Sequence, residues 1–245
     1  MKAIMANGIS IIIPAVDEAS IIARAVLQFT QYTHSSFLEV IVVDGGSRDQ
    51  TKELALEAGA KVIESPKRNR AAQMNLGARS AKFPVLYFVH ADVQVPKSFY
   101  DDIFLSINNG FESGCYRSDF ESYPGLMRLN AYMTRFNLLT FRGGDQTLFI
   151  TKNAFDKLNG FDEYYTIMED YDFIARLWKA KIPFALIQKD VVISVRKYEK
   201  NSWLRVQIAN GIAMFLFKQK KSPEVIKKYY RKFLNYRSAN YQPSE

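Results

Sequence analysis

A single cysteine, Cys115, among 245 residues leaves no internal disulfide framework and no Cys-rich zinc module. Met1–Ser10 lacks the charged start, apolar run and small-residue cleavage site of a signal peptide, which makes the cytoplasm the expected compartment. The most apolar stretch, Trp203–Phe217, contains Arg205, Gln207 and Asn210 and falls short of the roughly 20 residues that span a bilayer. Neither Gly-x-Gly-x-x-Gly after the first apolar run nor Gly-x-x-x-x-Gly-Lys-Ser/Thr occurs, so a dinucleotide fingerprint and a P-loop are both missing. Linkers, internal repeats and low-complexity segments are absent too.

What is present is a chain with 48% hydrophobic residues, enough to bury a substantial core. Its net charge of +8 is unevenly placed. From Arg196 onward there are twelve basic and three acidic residues, against twenty-one and twenty-two before it. A nucleic-acid binder would usually spread its charge over the main domain, so no nucleic acid is expected as a partner. The basic end reads instead as an extension, residues 196–245, on a neutral domain, residues 1–195.

Apolar runs alternate with helix-like periodicity. Ile9–Pro14 reads as a strand and Asp17–Tyr32 as a helix; Leu38–Val43 is a strand, Gln50–Ala58 a helix, Ala60–Glu64 a strand, Asn69–Ala81 a helix and Pro84–His90 a strand. Such alternation predicts βαβ units and a Rossmann-like, mainly parallel sheet flanked by helices. Beyond Phe99 the pattern loosens: a helix to Asn109, a strand near Gly114–Glu121, an apolar helix near Leu126–Leu139, a strand at Thr147–Thr151, a helix at Glu169–Lys179, and strands around Phe184 and Val191.

Ligands of open parallel sheets bind at the carboxyl ends of the strands, and here three strands run into acids: Asp17-Glu18, Asp44 and His90-Ala91-Asp92. Without a phosphate-cradling loop, a carboxylate holding Mg²⁺ or Mn²⁺ would neutralise a bound diphosphate, and Asp92 is the candidate ligand. The competing reading makes Asp92 the N-cap of a helix opening near Pro96.

Together Ile11-Ile12-Ile13-Pro14 with Asp17-Glu18, Val42-Val43-Asp44-Gly45-Gly46-Ser47-Arg48-Asp49, Asn69-Arg70-Ala71-Ala72-Gln73-Met74-Asn75, His90-Ala91-Asp92, and Gly160-Phe161-Asp162-Glu163 leading to Glu169-Asp170 resemble the ordered signature of family 2 glycosyltransferases over about Ile9 to Val195. The resemblance implies a GT-A fold, a nucleotide-diphosphate sugar donor, a divalent metal, and hexosyltransferase-like transfer with inversion. It implies that Pro14, Ala15, Asp17 and Glu18 touch the nucleotide, that Asp44 hydrogen-bonds the base, that Ser47, His90, Ala91 and Asp92 also bind the nucleotide sugar, that Arg70 stands near the donor, and that Asp170 is the general base with Glu169 as neighbour. His-Ala-Asp departs from the family's usual Asp-x-Asp, and an imidazole ligand at His90 would tilt the preference toward Mn²⁺. Only His34 and His90 exist, so no later histidine completes a metal shell as in some relatives.

Gly144, Asp145 and Gln146 match a segment near the sugar and acceptor, and Arg196 could lie over the diphosphate. The acceptor class stays open: a sugar, a small molecule or a lipid-linked hydroxyl. For the C-terminal segment three readings compete: peripheral contact with an anionic membrane, a lid through Arg196 and Lys197, or an amphipathic hairpin packed on the core through Leu204, Ile208, Ile212 and Phe215. Two other functions compete with transfer, a sugar-nucleotide nucleotidyltransferase and a non-catalytic membrane- or anion-binding protein on the same fold.

Overall fold

The structure, a computed structural model, describes residues 8–31, 35–123, 126–143, 146–199 and 201–234. One mixed sheet of eight strands forms its centre: β1 (Ile9–Ala15), β2 (Leu38–Asp44), β3 (Lys61–Glu64), β4 (Val85–Phe88), β5 (Val93–Gln94), β6 (Ser113–Phe120), β7 (Leu148–Thr151) and β8 (Phe184–Ile193). Their order is β3-β2-β1-β4-β7-β6-β8-β5. β1 to β4 are mutually parallel where they pair, while β7 runs antiparallel to β4 and β6.

The strands of the parallel half carry β-branched residues in unbroken runs because both faces are covered. Successive side chains alternate sides. Ile9, Ile11, Ile13, Val40, Val42, Val85 and Tyr87 therefore join one buried cluster with α1 (Ile22–Thr30) and α4 (Phe99–Asn108). Ile12, Ile41, Val43, Leu86 and Phe88 join the other with α3 (Arg70–Ser80), α6 (Lys152–Lys157) and α7 (Glu169–Lys179). Each fully buried Ile or Val contributes about 1.5–3 kcal/mol. α2 (Thr51–Glu57) links β2 to β3, and α5 (Met127–Met133) follows β6.

Three expectations are revised. The first helix starts at Ile22, not Asp17, because the amides of Asp17, Glu18 and Ala19 donate to Ser47 Oγ, Thr51 Oγ1 and Asp49 Oδ2 and so leave the helical path. Phe184 and Val191 lie on one strand, whose register shift at Tyr116/Arg117 of β6 absorbs extra residues. The apolar helix near Leu126–Leu139 is shorter, Met127–Met133, and is followed by a 3-10 turn at Leu139–Phe141.

After α8 (Arg196–Glu199), the helices α9 (Trp203–Lys218) and α10 (Pro223–Phe233) pack as a hairpin around a third cluster, Val206, Ala209, Ala213, Met214, Ile226 and Tyr230. The packing face expected for α9 was the wrong one. Leu204, Ile208 and Phe215 are 60%, 43% and 59% exposed, and Ile212 is half-buried. α9 is apolar on two sides, and the side with the small residues Ala209 and Ala213 allows the closer approach to α10.

Candidate active site

β1 lies between β2 and β4, so the chain turns to opposite sides after it, and the crevice at the carboxyl ends of these strands is the topological switch point. The sequence places its acids there. Asp44, the last residue of β2, is 1% exposed; its carboxylate accepts the amides of Gly46 (2.9 Å) and Ser47 (3.0 Å) and the Ser47 hydroxyl. Gly46 has φ +87°, which a side chain would strain. The turn is sewn to β1 by Gly45 N donating to Ala15 O at 2.9 Å, and by buried Gln73, whose Nε2 donates to both Ala15 O and Val43 O. Gln73 was not singled out from sequence; as a polar residue on the buried face of α3, it carried a signal that was there to be read.

Asp17 sits at φ 55°, and its carboxylate accepts Arg48 N at 2.8 Å and Arg68 Nη2 at 2.8 Å. Pro14 is half-buried and Ala15 buried at the end of β1. Beyond β4, Ala91 is buried while His90 and Asp92 are half-buried. Asp92 does not cap the next helix: the N-cap of α4 is Ser98. β5 pairs antiparallel with the end of β8, Val93 opposite Ile193, and this register carries Arg196 to the crevice. Arg196 Nη1 donates to Glu18 Oε2 at 3.0 Å, and Nη2 lies 3.6 Å from Asp92 Oδ2. Burial pulls the Arg196 guanidinium down, but the Glu18 hydrogen bond and the charges of Glu18 and Asp92 outweigh it and hold its pKa above the usual arginine value.

The acid pair opens α7. Met168 before it adopts φ 70°, and Glu169 is 1% exposed with Oε1 bound to Arg70 Nε, the first residue of α3. Glu169 thus joins the starts of two helices, while its Oε2 has no hydrogen-bond partner among the described residues. Asp170 is half-buried and lines a small cavity with His90, Gly143 and Thr147. Gly143 packs so closely that a Cβ there would lie 3.0 Å from the Tyr171 hydroxyl. Thr147, a β-branched residue, is held at φ 65°. Strained backbone at Asp17, Thr147 and Met168 therefore surrounds one crevice, the usual setting for such outliers.

Gln146 is buried, and its Oε1 accepts Arg142 Nη1 at 2.6 Å. Arg142, which the sequence did not single out, is fully buried and donates to Thr134 O at 2.7 Å and to Phe136 O, with Cys115 Sγ at 3.6 Å. Burial pushes the Cys115 thiol up to about 11 against the opposing pull of Arg142. Gly144 and Asp145 lie outside the described residues. The Gly160–Glu163 motif is clamped by α3: Asn75 exchanges hydrogen bonds with Phe161, and Asn69 Nδ2 reaches Glu163 O at 3.1 Å.

The Glycosyl transferase family 2 profile matches residues 10–159, a span that takes in Asp17, Asp44, Arg70 and Asp92 and ends before Glu169. A 4,4'-diaponeurosporenoate glycosyltransferase from Staphylococcus haemolyticus is 28% identical over 185 residues, 69% of this chain and 46% of that protein. The chain spans less than half the length of the curated relatives it matches. Among solved structures, the mannosyltransferase PcManGT from Pyrobaculum calidifontis, in complex with GDP-Man and Mn²⁺, superposes with a TM-score of 0.70 at 15% identity, covering 91% of this chain and 68% of that one. Glucosyl-3-phosphoglycerate synthase from Mycobacterium tuberculosis, in complex with Mg²⁺ and UDP, gives 0.63 at 14% identity, covering 88% and 80%. These likenesses give the fold, the GT-A arrangement that the sequence implied, and the profile match over more than half of the residues places the chain in glycosyl transferase family 2.

Proposed function

We propose that this chain is an inverting glycosyltransferase that moves a sugar from a nucleoside-diphosphate donor to an acceptor hydroxyl, with residues 1–195 as the transferase domain and 196–245 as a hairpin extension. The observation that carries the reading is the single crevice in which the ends of β1, β2 and β4 meet the start of α7, so that His90 and Asp170 line one cavity.

In this reading the segment Pro14–Glu18 and the Asp44–Ser47 turn receive the nucleotide. Asp44 acts through the turn, since its oxygens already accept that turn's own donors. The side chains would hold a divalent cation only in part, with substrate oxygens completing its shell. No group of three His, Cys, Asp or Glu able to hold a metal occurs among the described residues, but Asp92 offers a half-buried carboxylate whose present counterion is Arg196. Mg²⁺ and Mn²⁺ are commonly bound by one or two carboxylates together with substrate phosphates, and Asp92 supplies that share. A cation held by Asp92 would supply positive charge to offset that of the departing diphosphate. Arg196, which contacts both Glu18 and Asp92, would serve as the phosphate-binding cation.

Asp170 takes the proton of the attacking hydroxyl as the new bond forms on the face opposite the departing diphosphate. Glu169 is a positioning residue; its ion pair with Arg70 fixes the turn that presents Asp170. Donor and metal are tested by calorimetry with UDP-, GDP- and TDP-sugars in Mn²⁺, Mg²⁺ or EDTA. A single donor class should bind only with metal, and Asp92→Ala should abolish that binding; no donor bound under any condition would discard the reading. Inversion is checked by NMR of the sugar released when water replaces the acceptor.

A further inference from the structure

The outward side of α9 is not explained by transfer chemistry. Leu204, Ile208 and Phe215 form a stripe about 16 Å long on its exposed face. A second exposed group lies on and after α5: Leu129 at 50%, Phe136 at 44% and Leu138 at 57%. Trp203 Nε1 donates to Asn130 Oδ1 at 3.0 Å, so the start of α9 sits against α5. Monomeric soluble proteins rarely expose large apolar side chains in such numbers on one face.

The two segments that carry them are themselves charged almost wholly with one sign. Residues 126–143 contain Arg128, Arg135 and Arg142 and no Asp or Glu, and residues 201–234 contain eight Lys or Arg against Glu224 alone. Arg128, Arg135, Arg205, Lys218, Lys228 and Lys232 are exposed. A second copy of the chain would set these like charges against each other. A nucleic acid would supply phosphates for the cations but no apolar layer for Leu204 and Ile208. An anionic bilayer offers both what the apolar side chains and what the cations require.

We propose that the exposed apolar face of α9, with the exposed group on and after α5, seats on an anionic lipid bilayer, Leu204, Ile208 and Phe215 entering the headgroup layer and exposed cations such as Arg205 and Lys218 binding lipid phosphates. No helix among the described residues is long and apolar enough to cross a membrane, so the contact is interfacial. The opposite side of α9 packs with Met168, next to the acid pair, and Gly143 at the end of the α5 segment lines the cavity. Combined with the transferase reading, on which this step alone rests, the seating brings a lipid-borne acceptor to the Gly143 side of the crevice.

Flotation of the full chain with vesicles tests the seating without any catalytic step, so its failure and that of the transferase reading are separate results. The chain is expected to float with equal parts phosphatidylglycerol and phosphatidylcholine and not with phosphatidylcholine alone. The combined Leu204→Ser, Ile208→Ser, Phe215→Ser variant should keep its circular dichroism and melting profile and lose affinity on the order of tenfold. Leu129→Ser with Phe136→Ser provides a second variant on the other segment with the same expected direction. The proposal is overturned by absence of flotation with anionic vesicles, or by flotation that neither folded variant weakens, which would leave charge alone as its cause. It is overturned equally if light scattering finds a wild-type dimer that the serine variant turns into a monomer.

Discussion

The two halves of the crevice hold their functional residues by different means. On the β1–β2 side, position rests first on backbone, since parallel ladders bring Ala15 opposite Asp44, and nearby side chains of Asp44, Ser47 and Gln73 then lock the turn. On the α7 side, position is set by side chains remote in sequence: Glu169 is held by Arg70, Met168 by the C-terminal hairpin, and Gly143 follows the fully buried Arg142. Backbone positioning tolerates substitution because a ladder does not depend on side-chain identity. Side-chain positioning fails when one partner is lost, and a buried charge left alone is the costliest case.

The largest expected contrast between the halves is catalytic. Asp170→Asn should lower the rate of donor hydrolysis about 10²–10⁴-fold while donor affinity and melting temperature stay near wild type, because only proton transfer is removed. Unchanged turnover would take the base away from α7. Next comes stability. Arg142→Ala strands the Thr134 and Phe136 carbonyls and Gln146 in the interior and should cost about 3 kcal/mol in urea unfolding, whereas Ser47→Ala on the backbone-held side should cost about 1 kcal/mol. Equal losses would erase the distinction.

A smaller effect concerns the contact that joins the halves. Arg196→Gln removes the counterion of Asp92, so the donor-free protein should bind Mn²⁺ roughly threefold to tenfold more tightly by calorimetry. A weaker affinity would show that Arg196 orders the site rather than competing for it. The smallest is a pH effect at the clamp between α3 and the Gly160–Glu163 motif. The hydrogen bond from Lys67 holds the Glu163 carboxyl below its usual 4.5. A depressed carboxyl stabilises the fold above that value and loses the contribution as pH falls through the lowered pKa. Because Lys67 is well exposed, wild type should exceed Lys67→Met by only about 0.2–1 kcal/mol at neutral pH, and the gap should close in acid.

Most of the backbone-held half was legible. Ile9–Pro14 and Leu38–Val43 showed unbroken β-branched runs, and the acids ending them stand where a parallel sheet gathers its ligands. Glu169 as a helix start also followed from the local pattern, while Asn69, read as the first residue of its helix, is instead that helix's N-cap. The side-chain-held half was not. Arg142 looks like a surface cation in sequence, yet carbonyls from a separate turn accept its hydrogen bonds in the interior. α9 presents two apolar faces, and periodicity cannot decide which one packs. Arg196 reaches Asp92 only because the end of β8 pairs with β5, a register that no local signal encodes.

Composition, strand runs and ordered motifs thus determined the layered α/β architecture, the family and the edge of the sheet that holds the acids, all of which depend on contacts near in sequence or on the two-residue period of a strand. The tertiary structure alone decided that Glu169 is buried against Arg70, that Asp170 shares a cavity with His90, and that Leu204, Ile208 and Phe215 face outward. Each of these depends on which surfaces meet across long stretches of chain, and that choice is made by shape, charge and desolvation over the whole molecule.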